Sequence, residues 1–210
     1  MSVKTRPLTA AELKSLVGVL NRGDLPKRLW RIAAVDALCL GTAGRISEVL
    51  TMRNRDLFDA GGEPLPRVSR NVLKYRKPTR KTTNFPWDIL GKPVLQWYKL
   101  RRFYGSDALF IDSTRRYCWR RQRELLLLAG ISPERIAFHG LRKTALTRVH
   151  NRIVKEAGGR DGLAELQKVQ RFAGHARLET TLIYLGIDDT GPGENVIQSA
   201  YQDELEQNNV

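Results

Sequence analysis

Phe138-His139-Gly140-Leu141-Arg142-Lys143-Thr144-Ala145 opens the stretch that decides how this chain is read. The segment reads as helix from Phe138 to Ala157 and is stopped by Gly158-Gly159. On a helix His139 and Arg142, three positions apart, share one face. A guanidinium suits the non-bridging oxygens of a phosphate, and an imidazole exchanges a proton near neutral pH. Alone, the pair reads more simply as two surface side chains. His150 serves as an internal control. It lies on nearly the same face, but roughly 16 Å further along the axis, so it belongs outside any shared site and reads as a structural or surface histidine.

The charge around this stretch gives the pair a context. The chain has 210 residues, with 36 Lys and Arg against 22 Asp and Glu, a formal net charge of +14. Most of the surplus lies between Pro66 and Lys155, where 22 basic residues face 5 acidic ones, with Trp87, Trp97, Tyr98 and Trp119 interleaved. From Leu185 to Val210 there are 6 acids and no Lys or Arg. A basic middle with interleaved aromatics is the footprint of a nucleic-acid partner, because Lys and Arg that neutralise phosphates release condensed counterions. A membrane partner is disfavoured, since the longest purely apolar run, Leu125 to Ala129, is far too short to span a bilayer. No apolar signal core follows Met1, so residence in the cytoplasm is expected. Cys39 and Cys118 are the only cysteines, which excludes a disulfide framework.

The hydrophobic content, 41%, supports a real core. Thr9 with Glu12 forms a capping box for a helix over about 10–20, with Leu8 and Leu13 as its staple. A nearly all-apolar helix over 27–40 is expected to be buried, with a break at Gly41-Thr42-Ala43-Gly44 and a third helix from Arg45 to Arg53. Arg67 to Lys77 and Lys81 to Trp87 alternate as paired strands around Pro78-Thr79-Arg80. A short strand near Asp56 to Phe58 would complete a three-stranded antiparallel sheet. Further helices are expected from Pro93 to Tyr104, Arg115 to Ala129, Leu163 to Ala173 and Leu178 to Leu185. Gly191-Pro192-Gly193 is a hinge before a last helix, Glu194 to Leu205. Leu125 to Leu128 read as core. The fold class is α+β, mainly α: a helical bundle carrying a small sheet.

Two further stretches join the first. One is Gly44-Arg45-Ile46-Ser47-Glu48-Val49-Leu50. The other is Gly174-His175-Ala176-Arg177-Leu178-Glu179-Thr180-Thr181-Leu182-Ile183-Tyr184. With the Lys-rich hairpin between the arginine boxes, the chain resembles the catalytic domain of tyrosine recombinases, the phage-type integrase and Xer group. The resemblance runs from about Leu8 to Tyr184. Arg45-Ile46-Ser47-Glu48 resembles the first arginine box, His139-Gly140-Leu141-Arg142 the second, and Gly174-His175 followed nine residues later by Tyr184 the third. It implies a catalytic domain over 1–190 and an acidic tail over 191–210.

The resemblance assigns roles. Tyr184 is the nucleophile that attacks a DNA phosphodiester, leaving a 3′-phosphotyrosyl link and a free 5′-hydroxyl. Arg45 and Arg142 clamp the phosphate, His139 accepts the tyrosine proton, His175 hydrogen-bonds a non-bridging oxygen, and Glu48 orients the site. A hairpin lysine is the general acid. Lys77 fits best, although the usual position falls on Pro78, and Lys81 and Lys74 remain alternatives that also serve as backbone contacts. The helix after Thr114 enters the major groove, with Arg115 as the base contact and Arg116 and Arg120 mainly on phosphates. Such chemistry needs no cofactor. There is no Gly-rich Lys-Ser/Thr loop and no metal-ligand spacing.

The implied partner is a double-stranded DNA recombination site, bound by a homo-oligomer (a tetramer) with accessory DNA-bending proteins. Alternatives in kind are a type IB topoisomerase-like nicking and closing enzyme and an inactive sequence-specific DNA-binding protein. Two departures stand out. The family's amino-terminal helical domain is expected to be absent, since the resemblance starts almost at Met1, and the interval from Arg142 to His175 carries an insertion near 157–163. In relatives the segment after the tyrosine packs on a neighbouring protomer. Here Val196, Ile197 and Tyr201 would be the docking face, and self-docking on the basic body is the even alternative.

Overall fold

The computed structural model describes residues 5–73, 79–101 and 105–187. The helix α1 (Ala10–Leu20) starts as its capping box dictates: the Glu12 N–H donates to Thr9 Oγ1 and the Thr9 N–H donates to Glu12 Oε2. Glu12 also accepts from Arg6 at 2.7 and 2.5 Å. That pairing holds the Glu12 carboxyl down at about 2.

The chain divides into two compact units, Met1–Ala145 and Leu146–Val210, and the boundary falls inside α6 (Phe138–Glu156). The first unit is built around α2 (Lys27–Thr42). Its apolar length lets it pack on α3 (Ile46–Val49), α4 (Trp87–Leu100) and α5 (Arg115–Leu128), burying Leu29, Ile32, Ala33, Val35 and Leu38, while α1 packs on α4 and α5. The expected break over Gly41-Thr42-Ala43-Gly44 falls within that stretch, two residues beyond Leu40: α2 runs to Thr42, and Gly41 packs so closely that a Cβ there would sit 2.3 Å from the Phe85 ring. Ala43 then ends α2 in the left-handed region, φ 49°.

The helix expected over Arg45–Arg53 is shorter. After α3 the backbone pairs Met52 O with the Phe110 N–H at 2.8 Å, then forms a 3-10 turn over Asn54–Asp56. The Asp56 carboxylate accepts the Arg53 N–H at 2.8 Å and so favours the turn over an extended strand. The third strand expected near Asp56 to Phe58 is therefore not formed among the described residues. Phe58 makes only an isolated bridge to Pro64. The sheet has two antiparallel strands, β1 (Arg67–Val72) and β2 (Thr79–Asn84), with Arg70 opposite Lys81. The hairpin tip, with Lys74 and Lys77, lies outside the described residues.

The fourth helix begins at Trp87, not Pro93. Proline inside a helix leaves the carbonyl four residues back without its N–H. Here that carbonyl, Ile89 O, accepts from Asn21 Nδ2 at 2.9 Å, so α4 tolerates Pro93. On α5 the buried stripe is Cys118, Gln122, Leu125 and Leu126. Leu127 and Leu128, expected in the core, are 63% and 47% exposed, because four consecutive residues cannot share one helix face.

In the second unit α7 (Leu163–Ala173) buries Leu166, Val169 and Ala173 and packs on α8 (Leu178–Leu185). His150 is buried, and its Nε2 lies 2.8 Å from Asp161 Oδ1. The control histidine is thus structural, and it ties the 157–163 insertion to α6. The expected helix Glu194 to Leu205, with Val196, Ile197 and Tyr201, lies outside the described residues.

Candidate active site

The first unit carries a cleft of about 740 Å³. Arg45, Arg115, Arg116, Trp119, His139 and Arg142 are among its walls, with Thr5, Ser47 and Phe138. Three elements distant in sequence thus present cations to one space: the entry to α3, the first turn of α5 and the first turn of α6.

Arg45 is the residue before α3, in extended conformation. Glu48, one turn on, accepts from both ends of Arg45: its backbone N–H donates to Oε2 at 3.0 Å and Nη1 donates to Oε1 at 2.9 Å. Glu48 is fully buried while Arg45 keeps 22% of its side chain exposed. The carboxylate therefore orients the guanidinium from behind. Arg142 is fully buried, and its Nη1 donates to the Ala43 carbonyl. A non-glycine residue in the left-handed region costs about 1–2 kcal/mol. Ala43 accepts that strain where its carbonyl meets Arg142, so the end of α2 and the first turn of α6 are tied at the site.

His139 remains solvent-accessible at the cleft. Partial desolvation lowers its pKa, and Lys143, Arg142, Arg45 and Arg115 lower it further. The imidazole is thus held neutral and able to accept a proton near pH 7. Arg115 and Arg116 are exposed on the first turn of α5, whose start is capped by Thr114 Oγ1 accepting the Tyr117 N–H at 3.2 Å. Arg120 is exposed on the same helix but does not line the cleft.

Lys81 lies on β2 directly opposite Arg70. Burial lowers its pKa to about 8, and Arg70 and Arg142 push in the same direction while Glu48 opposes them. Of the three hairpin lysines singled out in the sequence, it alone falls within the described residues.

In the second unit α7 ends at Gly174 in the left-handed region, φ 69°, which turns the chain into His175. The His175 N–H donates to Gln170 O at 3.1 Å, and Gln170 Nε2 donates back to His175 O at 3.2 Å. His175 Nδ1 lies 3.0 Å from Thr181 Oγ1, one turn before Tyr184. The His175 and Tyr184 rings lie 4.9 Å apart and tilted by 41°, and both residues are buried. The third motif therefore closes on itself.

Three participants, Arg70, Thr181 and Gly140, were given no role from the sequence, and Trp119 stood there only among the interleaved aromatics. Arg70, on β1, is 1% exposed in its side chain and pairs with Glu48. Its signal is present in hindsight: Val68, Arg70 and Val72 share the buried phase of the strand, so the arginine occupies an apolar register. Trp119 is 48% exposed in the cleft wall, four residues after Arg115. Thr181 holds the His175 ring. Gly140 lies under the Thr5–Leu8 segment, where a Cβ would meet Arg6 O at 2.6 Å. Among the described residues, no group of three His, Cys, Asp or Glu is placed to hold a metal ion. Among the described residues, no helix is long and apolar enough to cross a membrane.

The sequence model of the phage integrase family matches residues 6–190. The chain is 29% identical over 201 residues to "Tyrosine recombinase XerC" of Mesorhizobium japonicum, covering 87% of this chain and 55% of that protein. Among solved structures it resembles XerH site-specific recombinase bound to a palindromic difH substrate. The TM-score there is 0.65 at 17% identity, over 90% of this chain and 51% of that one. It also resembles XerA recombinase, with a TM-score of 0.60 at 21% identity over 99% of this chain and 66% of that one. These structural likenesses show the fold. The chain spans about half the length of the curated relatives it matches. With the family's sequence model matched from residue 6 to residue 190 and the arginine boxes meeting at one cleft, the chain belongs to the phage integrase family.

Proposed function

We propose that this chain is the catalytic part of a tyrosine site-specific recombinase, which cuts and rejoins DNA through a 3′-phosphotyrosyl intermediate. The observation that carries the reading is the cleft in which Arg45, His139 and Arg142 share walls with Arg115 and Arg116. A cluster of guanidiniums beside a neutral imidazole binds a phosphodiester and manages a proton, whereas a purely DNA-binding surface needs no imidazole held in its neutral form.

In the proposed step Tyr184 Oη forms a bond to phosphorus and the bond from phosphorus to the 5′ oxygen breaks. The phenol proton passes to His139. Arg45, Arg142 and His175 bind the non-bridging oxygens, whose charge rises in the transition state. A hairpin lysine protonates the leaving 5′ oxygen. Lys77 holds that role by sequence position, and Lys81 competes for it with a pKa of about 8, which suits a general acid near neutral pH. Replacing the leaving oxygen by sulfur, which departs without protonation, restores cleavage in the variant of the true general acid and in no other. Rejoining reverses the step with a 5′-hydroxyl from a second duplex. Oligomers on a double-stranded site, with accessory DNA-bending proteins, provide that second duplex. Arg115 contacts a base, while Arg116, Arg120 and Lys74 contact phosphates.

The test starts from duplexes selected out of a random pool by the wild-type protein. A nicked version of the selected site traps the covalent adduct. An adduct lost in Tyr184→Phe, with binding retained, supports the reading. Specific binding without an adduct overturns it in favour of an inactive DNA-binding protein. Adduct and plasmid relaxation without two-site recombinants identify a nicking and closing enzyme instead.

A further inference from the structure

We propose that Arg70 is a positioning residue that takes up the Glu48 charge, so that Arg45 stays cationic toward the scissile phosphate. The proposal rests on Arg45 acting as a phosphate clamp. One buried carboxylate serves two guanidiniums. Glu48 Oε1 accepts from Arg45 Nη1 at 2.9 Å, and Glu48 Oε2 accepts from Arg70 Nη1 and from the Arg45 backbone N–H. Arg70 and Glu48 are both essentially inaccessible to solvent, at 1% and 0% of the side chain, whereas Arg45 is 22% exposed and lines the cleft. The three charges leave one positive charge in excess. Of the three groups, only Arg45 reaches the space where an anion can bind. Without Arg70, Arg45 and Glu48 would form a closed neutral pair, and the cleft would lose a charge although no cleft residue had changed.

The burial of Arg70 argues against stability as its reason. Its Nε and Nη2 are buried with no hydrogen-bond partner among the described residues. A guanidinium left partly unsatisfied in the interior is costly, and an apolar residue of similar length in this strand register would avoid that cost. Its strand neighbours in the same phase, Val68 and Val72, are apolar. Packing of β1 on α3 brings Arg70 to Glu48, and directly across the hairpin stands Lys81, a second cation. A structural brace between β1 and α3 would need only one hydrogen bond. A charge balance needs the guanidinium.

The experiment compares single-turnover adduct formation on the selected site carrying either the normal phosphodiester or an uncharged methylphosphonate at the cleavage position. Arg70→Met is expected to slow the phosphodiester reaction by about 100-fold, the scale of losing one charge-stabilising donor. On the methylphosphonate it should slow by no more than about threefold, because the neutral substrate makes little demand on the Arg45 charge. Arg70→Lys, which keeps the charge, should stay within about tenfold of wild type on both. Equal slowing on both substrates reduces Arg70 to a brace and overturns the proposal. So does an Arg70→Met variant as fast as wild type. Should Arg70→Met lack a melting transition, Arg70→Gln, uncharged but still able to hydrogen-bond Glu48, takes its place with the same expected contrast between the two substrates. A folded Arg70→Gln variant that is as fast as wild type on the phosphodiester, or equally slowed on both substrates, overturns the proposal. Failure of the wild-type protein to form any adduct overturns the recombinase reading itself.

Discussion

Gly140→Ala tests whether the amino-terminal segment holds the helix that carries His139 and Arg142. Gly140 lies in the first turn of α6, between the two site residues. Helix propensity alone favours alanine there by about 1 kcal/mol. The structure opposes it, because the added Cβ would lie 2.6 Å from the Arg6 carbonyl oxygen. An ordinary contact is about 0.8 Å longer, on the 3.5–4.0 Å scale of carbon contacts less the smaller oxygen radius. The opposing atom is backbone, so it cannot swing aside. Its segment is fastened on both flanks: the Arg6 N–H donates to Arg135 O at 3.0 Å, the Leu8 N–H to Thr144 Oγ1 at 2.7 Å, and Lys143 Nζ to Thr5 O at 2.9 Å. Overpacking against fastened backbone costs about 1–3 kcal/mol, which outweighs the propensity gain at its upper end. With the cost at about 2–3 kcal/mol against this fastened backbone, the net loss is about 1–2 kcal/mol, or roughly 2–8 °C in Tm for a chain of this size. Because the helix or the segment must move by several tenths of an ångström at His139, adduct formation should fall about 10- to 100-fold while site binding changes little. Thermal unfolding and single-turnover cleavage read the two effects. A variant with an unchanged or raised Tm and normal cleavage would refute the reasoning, since propensity would then have decided the outcome.

The remaining predictions concern buried and cleft groups. Asp36 is fully buried, accepts from Gln122 Nε2 as its one hydrogen-bond donor among the described residues, and burial raises its carboxyl pKa well above the ordinary value. A carboxyl raised in the folded state stabilises below its unfolded pKa and loses that contribution as pH rises. Asp36→Asn should therefore be more stable than wild type at pH 7, by about 1–3 kcal/mol or roughly 3–10 °C, with the difference vanishing toward pH 4. No gain at pH 7 would show that another group carries the proton. The lowered pKa of His139 places the acid limb of the cleavage rate below pH 6.5, and His139→Gln should abolish that limb. A midpoint at or above 6.5 would exclude His139 as the base. Thr181→Val removes the partner of His175 Nδ1 and should slow adduct formation about tenfold, with Thr181→Ser close to wild type. Trp119→Ala should leave the Tm unchanged while altering the base pairs selected from a random pool, because an aromatic face in the cleft wall contacts bases at about 1–3 kcal/mol each. An identical selected sequence would remove Trp119 from the DNA interface.

Local elements were largely legible in the chain itself. The start of α1 follows from its capping box, and the ends of α7 and α8 from Gly174 and Gly186, all encoded within a few residues. At Gly41 and Pro93 a distant partner modifies the local signal. Gly41 opens the expected break, but α2 runs on to Thr42 with Gly41 against Phe85. Pro93 reads as a helix start, but Asn21 satisfies the carbonyl it leaves. At Asp56 the competing contact is itself local: its carboxylate folds back on the Arg53 N–H three residues earlier and favours a turn over the expected strand.

The site divides in the same way. The sequence by itself determined which side chains are candidates for the proposed chemistry: Arg45, His139, Arg142, His175 and Tyr184 stand in three short motifs that can be found without the fold. Only the tertiary structure decided what stands behind them. The Ala43 carbonyl on Arg142, the sharing of Glu48 between Arg45 and Arg70, and the passage of Arg6 over Gly140 each join positions more than twenty residues apart. A buried charge finds its partner through packing rather than spacing, and no local pattern records that choice.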